Sequence, residues 1–265
     1  MPPMSDWLAV TILGVIEGVT EFLPISSTGH LLLVENSHWL PQQSDLFNIT
    51  IQSGAVLAVL AVFWARVRDL FLRLNDPATR DYLLKLLLAF VITGAGGLAL
   101  KKLGFTLPKE TAPIAWATLV GGIAILLIEW AIRGRQLRPD VTWFVAVAVG
   151  LAQLLAAVFP GTSRSASTIL IALALGLSRP AATEFSFLLA VPTLLAAGAL
   201  ETFQALRHPG GPPTEWGLLA LGTLVSAVTA FLVVKWLLRW IQTHRFTPFG
   251  WYRIALGLAM LTRFV

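Results

Sequence analysis

The chain has 265 residues, 56% of them hydrophobic and only 12% charged, with a mean hydropathy of +0.77, whereas a soluble domain carries about 25% charged residues. Long uncharged runs at Leu46–Ala65, Ala112–Ile128, Val141–Ser163, Phe185–Leu200 and Gly217–Val234 exclude a single soluble core, because a membrane span needs roughly 20 mostly apolar residues. A net charge of +5 without any basic run interleaved with aromatics excludes a nucleic-acid partner, and the absence of cysteine excludes disulfides, thiolate metal sites and cysteine nucleophiles.

The first residues, Met1–Val10, carry no basic n-region and do not read as a cleaved leader. Trp7–Leu23 follows a helical pattern that Pro24 ends, since proline lacks an amide donor and disfavours helix at the preceding residue. Ser26-Ser27-Thr28-Gly29 supplies cap and turn residues before His30–Val34 resumes the helix. Spans around Gln52, over Leu83–Leu100 and over Ala112–Ile128 come next. Trp143–Phe159 is then stopped by Pro160-Gly161, and a helix restarts after Thr162-Ser163. Spans over Phe185–Leu200, Leu219–Trp236 and around Gly257 complete the chain, with no stretch long enough for a second, soluble domain. Trp64, Trp116, Trp130, Trp143, Trp216 and Trp240 lie near predicted span ends, where the indole suits the membrane interface.

The two interrupted segments are similar at a fixed offset. Gly14–Gly29 lies over Gly150–Ser165 at 136 residues (150 − 14), pairing Glu17 with Gln153, Pro24 with Pro160, Ser26 with Thr162 and Ser27 with Ser163. The same offset carries Gln52 onto Leu188, Leu83–Leu100 onto Leu219–Trp236, and Gly121 onto Gly257. Two short apolar arms around a polar tip describe a re-entrant hairpin, tolerated at membrane depth only where it is buried or lines a wet cavity. Three further crossings per copy is an odd number, so the second copy must be inverted. The expected fold is an all-α polytopic membrane protein forming one membrane domain over 1–265. Its inverted repeats cover about 6–132 and about 142–265, with six full spans in total. With the termini outside, the cytoplasmic loops hold Arg66, Arg68, Arg73, Arg80, Arg133, Arg135, Arg138, Arg179, Lys235, Arg239 and Arg245. The other side holds chiefly Lys101, Lys102, Lys109, Arg207 and Arg263, which agrees with the positive-inside bias. Inverted repeats with broken helices place their site where the copies meet.

Glu17 and Glu21 stand four residues apart on one helix face, and carboxylates in an apolar helix are costly unless paired or metal-bound. Together they suit a hard divalent cation, Mg²⁺ or Ca²⁺, completed by water and phosphate oxygens; ion coupling in a transporter is the alternative use. Ser26, Ser27 and Thr28 gather at a half-helix start, where free amides and the dipole favour an anion. His30 is a candidate acid, base or nucleophile. Arg164, the one charge between Asp140 and Arg179, sits among Thr162, Ser163 and Ser165. Its guanidinium fork matches phosphate oxygens, and a salt bridge to Glu17 or Glu21 is its structural use. Gln52, Glu184 and Ser186 are secondary candidates, and Gly94-Ala95-Gly96-Gly97 and Gly121-Gly122 read as close helix contacts. The chain has no P-loop, HExxH or GxSxG pattern.

At Glu17–His30, Pro160–Ser165 and Glu184–Pro192 the sequence resembles the undecaprenyl-pyrophosphate phosphatase (bacitracin-resistance) family of bacteria over essentially its whole length. The resemblance implies hydrolysis of a C55 isoprenyl pyrophosphate lipid to the monophosphate carrier, for cell-wall synthesis. It also implies a divalent cation and a bacterial inner-membrane location with the site open to the periplasmic or outer face. It makes Glu17 and Glu21 the acidic pair and Ser27, His30 and Arg164 the central catalytic groups, with either Ser27 or His30 attacking phosphorus. A homodimer is compatible with it. Two departures bear on the second tip: Ala166 stands where the family usually has glycine, and the stretch from Gln153 to Pro160 is one residue longer than usual. The rival reading from another class is a secondary transporter or flippase for a polyprenyl phosphate lipid.

Overall fold

Cap and breaker residues set the helix ends. The computed structural model describes residues 5–36, 40, 43–104, 110–207 and 215–264, so that Lys109 and the residues before Ser5 lie outside the description. Eleven helices form among the described residues: α1 (Asp6–Thr20), α2 (Ser27–Asn36), α3 (Asp45–Val62), α4 (Trp64–Leu72), α5 (Pro77–Lys102), α6 (Thr111–Ala131), α7 (Trp143–Val158), α8 (Arg164–Ala174), α9 (Arg179–Arg207), α10 (Trp216–Trp240) and α11 (Thr247–Phe264). Ser44, Asp76 and Thr142 cap α3, α5 and α7 by accepting from the backbone amides of Phe47, Thr79 and Val145. Pro77 sits in the first turn of α5, where its missing amide costs nothing.

Among the described residues four helices, α5, α6, α9 and α10, are long and apolar enough to cross a membrane, and a fifth crossing is made if α3 and α4, bent by 74° at Phe63, count as one broken span. The exposed side chains agree with a lipid surround. Trp116, Val120, Ile123 and Leu127 are exposed along α6, and Leu224, Val228 and Leu232 along α10, at helical spacing. Polar groups are sequestered inside an otherwise apolar core, with Glu17, Gln153, Ser165, Thr168, Ser226 and Arg253 buried. The chain is a multi-pass membrane protein.

Backbones approach closely where glycine allows it. On α1, a Cβ at Gly14 would stand 2.7 Å from the Gly222 carbonyl oxygen and 3.1 Å from the Cβ of Val225, on α10. On α7, a Cβ at Gly150 would stand 2.9 Å from the Ala89 carbonyl oxygen, on α5. Ala89 and Val225 are themselves 136 residues apart (225 − 89). Each hairpin's first arm thus packs on the long helix of the other half of the chain. α3 packs on α10 and α9, and α6 lies along α11. The chain entering α7 and the chain leaving α8 meet, with Arg138 N donating to Gly176 O at 3.0 Å and Ser178 N to Arg138 O at 2.8 Å, so the α7–α8 pair is a hairpin with joined ends.

Three local expectations differ from the structure. α1 ends at Thr20 rather than Leu23, because Pro24 drives the chain into a tight turn in which Ile25 N donates to Leu23 O at 2.8 Å. Gly94 and Gly97 face open space, and only Gly96 of that run abuts another helix, at Leu154. Arg179 is not a free loop charge: it forms a mostly buried ion pair with Glu129, whose Oε1 also accepts from Phe246 N at 2.8 Å. That pair ties α6, α9 and the start of α11.

Candidate active site

The two hairpin tips share one backbone shape. Ser26 and Ser163 have φ of +74° and +70°, and they are the non-glycine residues with positive φ among those described. Each then caps the half-helix that follows: Ser26 Oγ accepts from Gly29 N at 3.3 Å and Ser163 Oγ from Ala166 N at 3.2 Å. Left-handed backbone costs a non-glycine residue roughly 1–2 kcal/mol, so the surrounding packing must hold both turns. The two serines are 137 residues apart (163 − 26), not 136. The 136 register paired Ser26 with Thr162 and Ser27 with Ser163; by tip geometry Ser26 matches Ser163 and Ser27 matches Arg164. With Pro24 still over Pro160, the extra residue falls between Pro160 and Ser163. Gly161 has φ +92°, and a Cβ there would fall 2.5 Å from the Ile114 carbonyl oxygen.

The slip matters because the matched residues converge on one carboxylate. Ser27 Oγ donates to Glu21 Oε2 at 2.7 Å, and Arg164 Nη2 donates to Glu21 Oε1 at 2.9 Å. Glu21 and Arg164 are only 7% and 14% exposed, a setting in which a charged pair is held in one geometry. The Arg164 guanidinium lies 5.6 Å from the centre of the Phe22 ring. Its Nε and Nη1 are buried and no acceptor reaches them, although buried donors are normally satisfied. Glu17 is fully buried behind Glu21, its carboxylate adjoins that of Glu21, and no donor reaches either of its oxygens. The two orphaned Glu17 oxygens, beside a Glu21 carboxylate whose oxygens each accept one hydrogen bond, are hard ligands that fit a divalent cation keeping waters and taking phosphate oxygens. No cluster of three or more His, Asp or Glu occurs among the described residues, so the protein side of such a centre would be this pair.

Glu21, Ser27 and Arg164 open on a cavity of about 640 Å³, whose lining mixes polar side chains (Ser26, Thr28, Asn48, Gln52, Thr93, Gln153, Ser163 and Thr193 besides) with the apolar Ile49, Ala156, Ala157, Leu194 and Ala197. Its lining does not include Glu17, His30, Thr162 or Ser165. Thr162 Oγ1 donates within its own turn to Phe159 O, and Ser165 Oγ donates to Leu23 O at 2.9 Å, stitching the second tip to the first. Ser186 is buried against Thr168. Glu184 belongs to a different cavity, where it pairs with Arg66 at 2.9 Å. His30 stacks on Tyr252 with its Nε2 2.6 Å from the phenol oxygen and its Nδ1 2.7 Å from Ser26 O. A carbonyl only accepts, so in the neutral ring Nδ1 carries the hydrogen and Nε2 accepts from Tyr252.

Three residues at the site escaped the sequence reading. Asn48, one turn from Gln52 on α3, lines the cavity with a buried Oδ1 that has no partner. Tyr252 orients His30. Arg253 is fully buried in α11 and bonds to carbonyl oxygens of both tips, Pro24 in one and Gly161 and Thr162 in the other. The signal that singled out Arg164, a lone charge in an apolar helix, was present for Arg253 as well.

A family model described as bacitracin resistance protein BacA matches residues 10–259. The chain belongs to the BacA family. Among its relatives, the undecaprenyl-diphosphatase of Rhizobium johnstonii is 51% identical over 257 residues, covering 97% of this chain and 96% of the relative. The undecaprenyl-diphosphatase of Xylella fastidiosa is 50% identical over 260 residues, covering 98% and 99%. That of Xanthomonas oryzae pv. oryzae is 48% identical over 259 residues, covering 97% of each. In this BacA-family chain the segments Glu17–His30 and Pro160–Ser165 hold the two tips that meet at Glu21.

Proposed function

We propose that the chain is a membrane phosphatase that hydrolyses undecaprenyl pyrophosphate to undecaprenyl phosphate and inorganic phosphate. The observation that carries this reading is the Ser27–Glu21–Arg164 group, with two unsatisfied guanidinium nitrogens beside a hydroxyl hydrogen-bonded to a carboxylate. Arg164 Nη2 holds Glu21 Oε1, which leaves Oε2 to accept the Ser27 proton. Ser27 Oγ attacks the terminal phosphorus, the bond to the bridging oxygen breaks, and undecaprenyl phosphate leaves. Water then releases phosphate from the serine. Arg164 Nε and Nη1, with the Ser163 and Thr28 hydroxyls, take the oxygens on which charge develops. Ser27 is the attacking group in this reading rather than His30, because Ser27 lines the cavity and both His30 nitrogens are engaged elsewhere. Glu17 and Glu21 would hold a Mg²⁺ or Ca²⁺ ion. Bound there, the ion supplies Lewis-acid charge neutralisation of the pyrophosphate.

In this reading the halves 6–132 and 142–265 are inverted copies that give six crossings, with α11 as the sixth. The reciprocal packing of Gly14 and Gly150 and the matching tips support that arrangement. The site opens to the outer face of the bacterial inner membrane, a reading the loop arginines support, and Ile49, Ala156, Ala157, Leu194 and Ala197 of the cavity lining receive the first units of the polyprenyl chain. A transporter would not need a hydroxyl poised on a carboxylate. The test is phosphate release from undecaprenyl pyrophosphate by purified protein in detergent. Release by the parent, lost in Arg164→Ala, supports the reading; turnover that is unchanged in Arg164→Ala sinks it.

A further inference from the structure

Arg253 is the largest fully buried side chain among the described residues, and all its hydrogen bonds go to backbone carbonyls. Nε donates to Thr118 O at 3.2 Å; Nη1 to Pro24 O at 3.3 Å and Thr162 O at 2.9 Å; Nη2 to Ala117 O at 3.1 Å and Gly161 O at 3.0 Å. A guanidinium has five N–H donors in a rigid fork, so all five are used, each on its own carbonyl. These carbonyls belong to α6 and to the two tips, where broken helices leave acceptors that no water-filled surroundings would satisfy.

We infer that Arg253 is a positioning residue for the reaction. By bonding Pro24 in one tip and Gly161 and Thr162 in the other, it fixes the separation of the turns that carry Ser27 and Arg164. That separation decides whether both reach the one Glu21 carboxylate. Lysine offers three donors from a single point and cannot span these carbonyls. Gly121 gives a second handle, because a Cβ there would stand 2.1 Å from Nη2 and 2.6 Å from Cζ of Arg253. Gly121→Ala therefore displaces the guanidinium without removing its charge.

The kinetic consequence rests on the phosphatase reading; the geometric one does not. Misplacement of reacting groups by about 1 Å costs on the order of 10²-fold in rate. Arg253→Lys and Gly121→Ala should each lower kcat by about that factor per folded molecule, with KM within about threefold of the parent. A residue needed only for folding would lower the yield and melting temperature but leave kcat per folded molecule unchanged. The chain has no cysteine, so spin labels on Thr28→Cys and Phe159→Cys report tip separation without any turnover. A broadened or shifted distance in both variants supports the clamp. An unchanged distance, or kcat within threefold of the parent in both variants, overturns it. Should Arg253→Lys fail to fold, Gly121→Ala carries the same comparison. A parent that releases no phosphate refutes the phosphatase reading instead, and the label distances then decide the clamp alone.

Discussion

Glu21→Gln tests the centre of the site most directly. The amide keeps the shape of the carboxylate, and its oxygen still accepts from Arg164, but it offers Ser27 a donor where a base stood. General-base assistance contributes about 10²–10⁴-fold, and at 1.36 kcal/mol per decade its loss raises the barrier by about 3–5 kcal/mol. The change also leaves Arg164, 14% exposed, as a charge without its counter-ion, and breaking a buried pair destabilises a protein by about 3–5 kcal/mol. The expected result is a fall in kcat of at least about 10²-fold, with a lower melting temperature in detergent. The assay is continuous phosphate release from undecaprenyl pyrophosphate in micelles, scaled to folded protein by size-exclusion chromatography. Glu184→Gln is the comparison, since that side chain belongs to another cavity and pairs with Arg66; it should retain activity within about threefold. Turnover by Glu21→Gln within threefold of the parent would refute the assignment of Glu21 as the base.

Ser27→Ala should reduce phosphate release by about 10³-fold or more, whereas Tyr252→Phe, which removes only the hydroxyl facing His30 Nε2, should cost about tenfold or less. Labelled phosphate trapped on Ser27 after a denaturing quench at neutral pH, which preserves both phosphoserine and phosphohistidine, would support serine attack, and label on His30 would overturn it. Removal of divalent cations by chelation should abolish turnover, with Mg²⁺ or Ca²⁺ restoring it; Glu17→Gln should raise the cation concentration for half-maximal activity by about 10-fold or more. An unaltered cation titration in that variant would count against Glu17 as a ligand. Glu129→Gln breaks the buried pair with Arg179 and should destabilise the protein by about 3–5 kcal/mol, seen as a lower melting temperature. Its kcat per folded molecule should stay near the parent's.

Much of this fold is legible locally. Pro24 and Pro160-Gly161 end helices whatever surrounds them, and Ser44, Asp76 and Thr142 cap helices through contacts three residues away. The apolar runs require a lipid surround because no soluble packing could bury them. Other features were only partly legible. Glu17 and Glu21 share a helix face, yet one turn along that helix separates a carboxylate in the cavity from one buried behind it. The 136-residue offset located both tips but misaligned their serines by one, since the second tip holds one more residue between Pro160 and Ser163, in a turn where Gly161 packs against Ile114 of another helix.

The sequence by itself therefore determined that the chain spans the membrane, that it breaks two helices at polar tips, and that carboxylates, hydroxyls and Arg164 stand at those tips. Periodicity, proline chemistry and the cost of buried charge all act within a few residues. The tertiary structure alone decided that Ser27 and Arg164 grip opposite oxygens of Glu21, that His30 turns to Tyr252, and that Arg253 bonds both tips from α11. Apart from Ser27–Glu21, which are six residues apart, those contacts join residues 91 to 229 positions apart, and their geometry follows from how the helices pack, which no local pattern encodes.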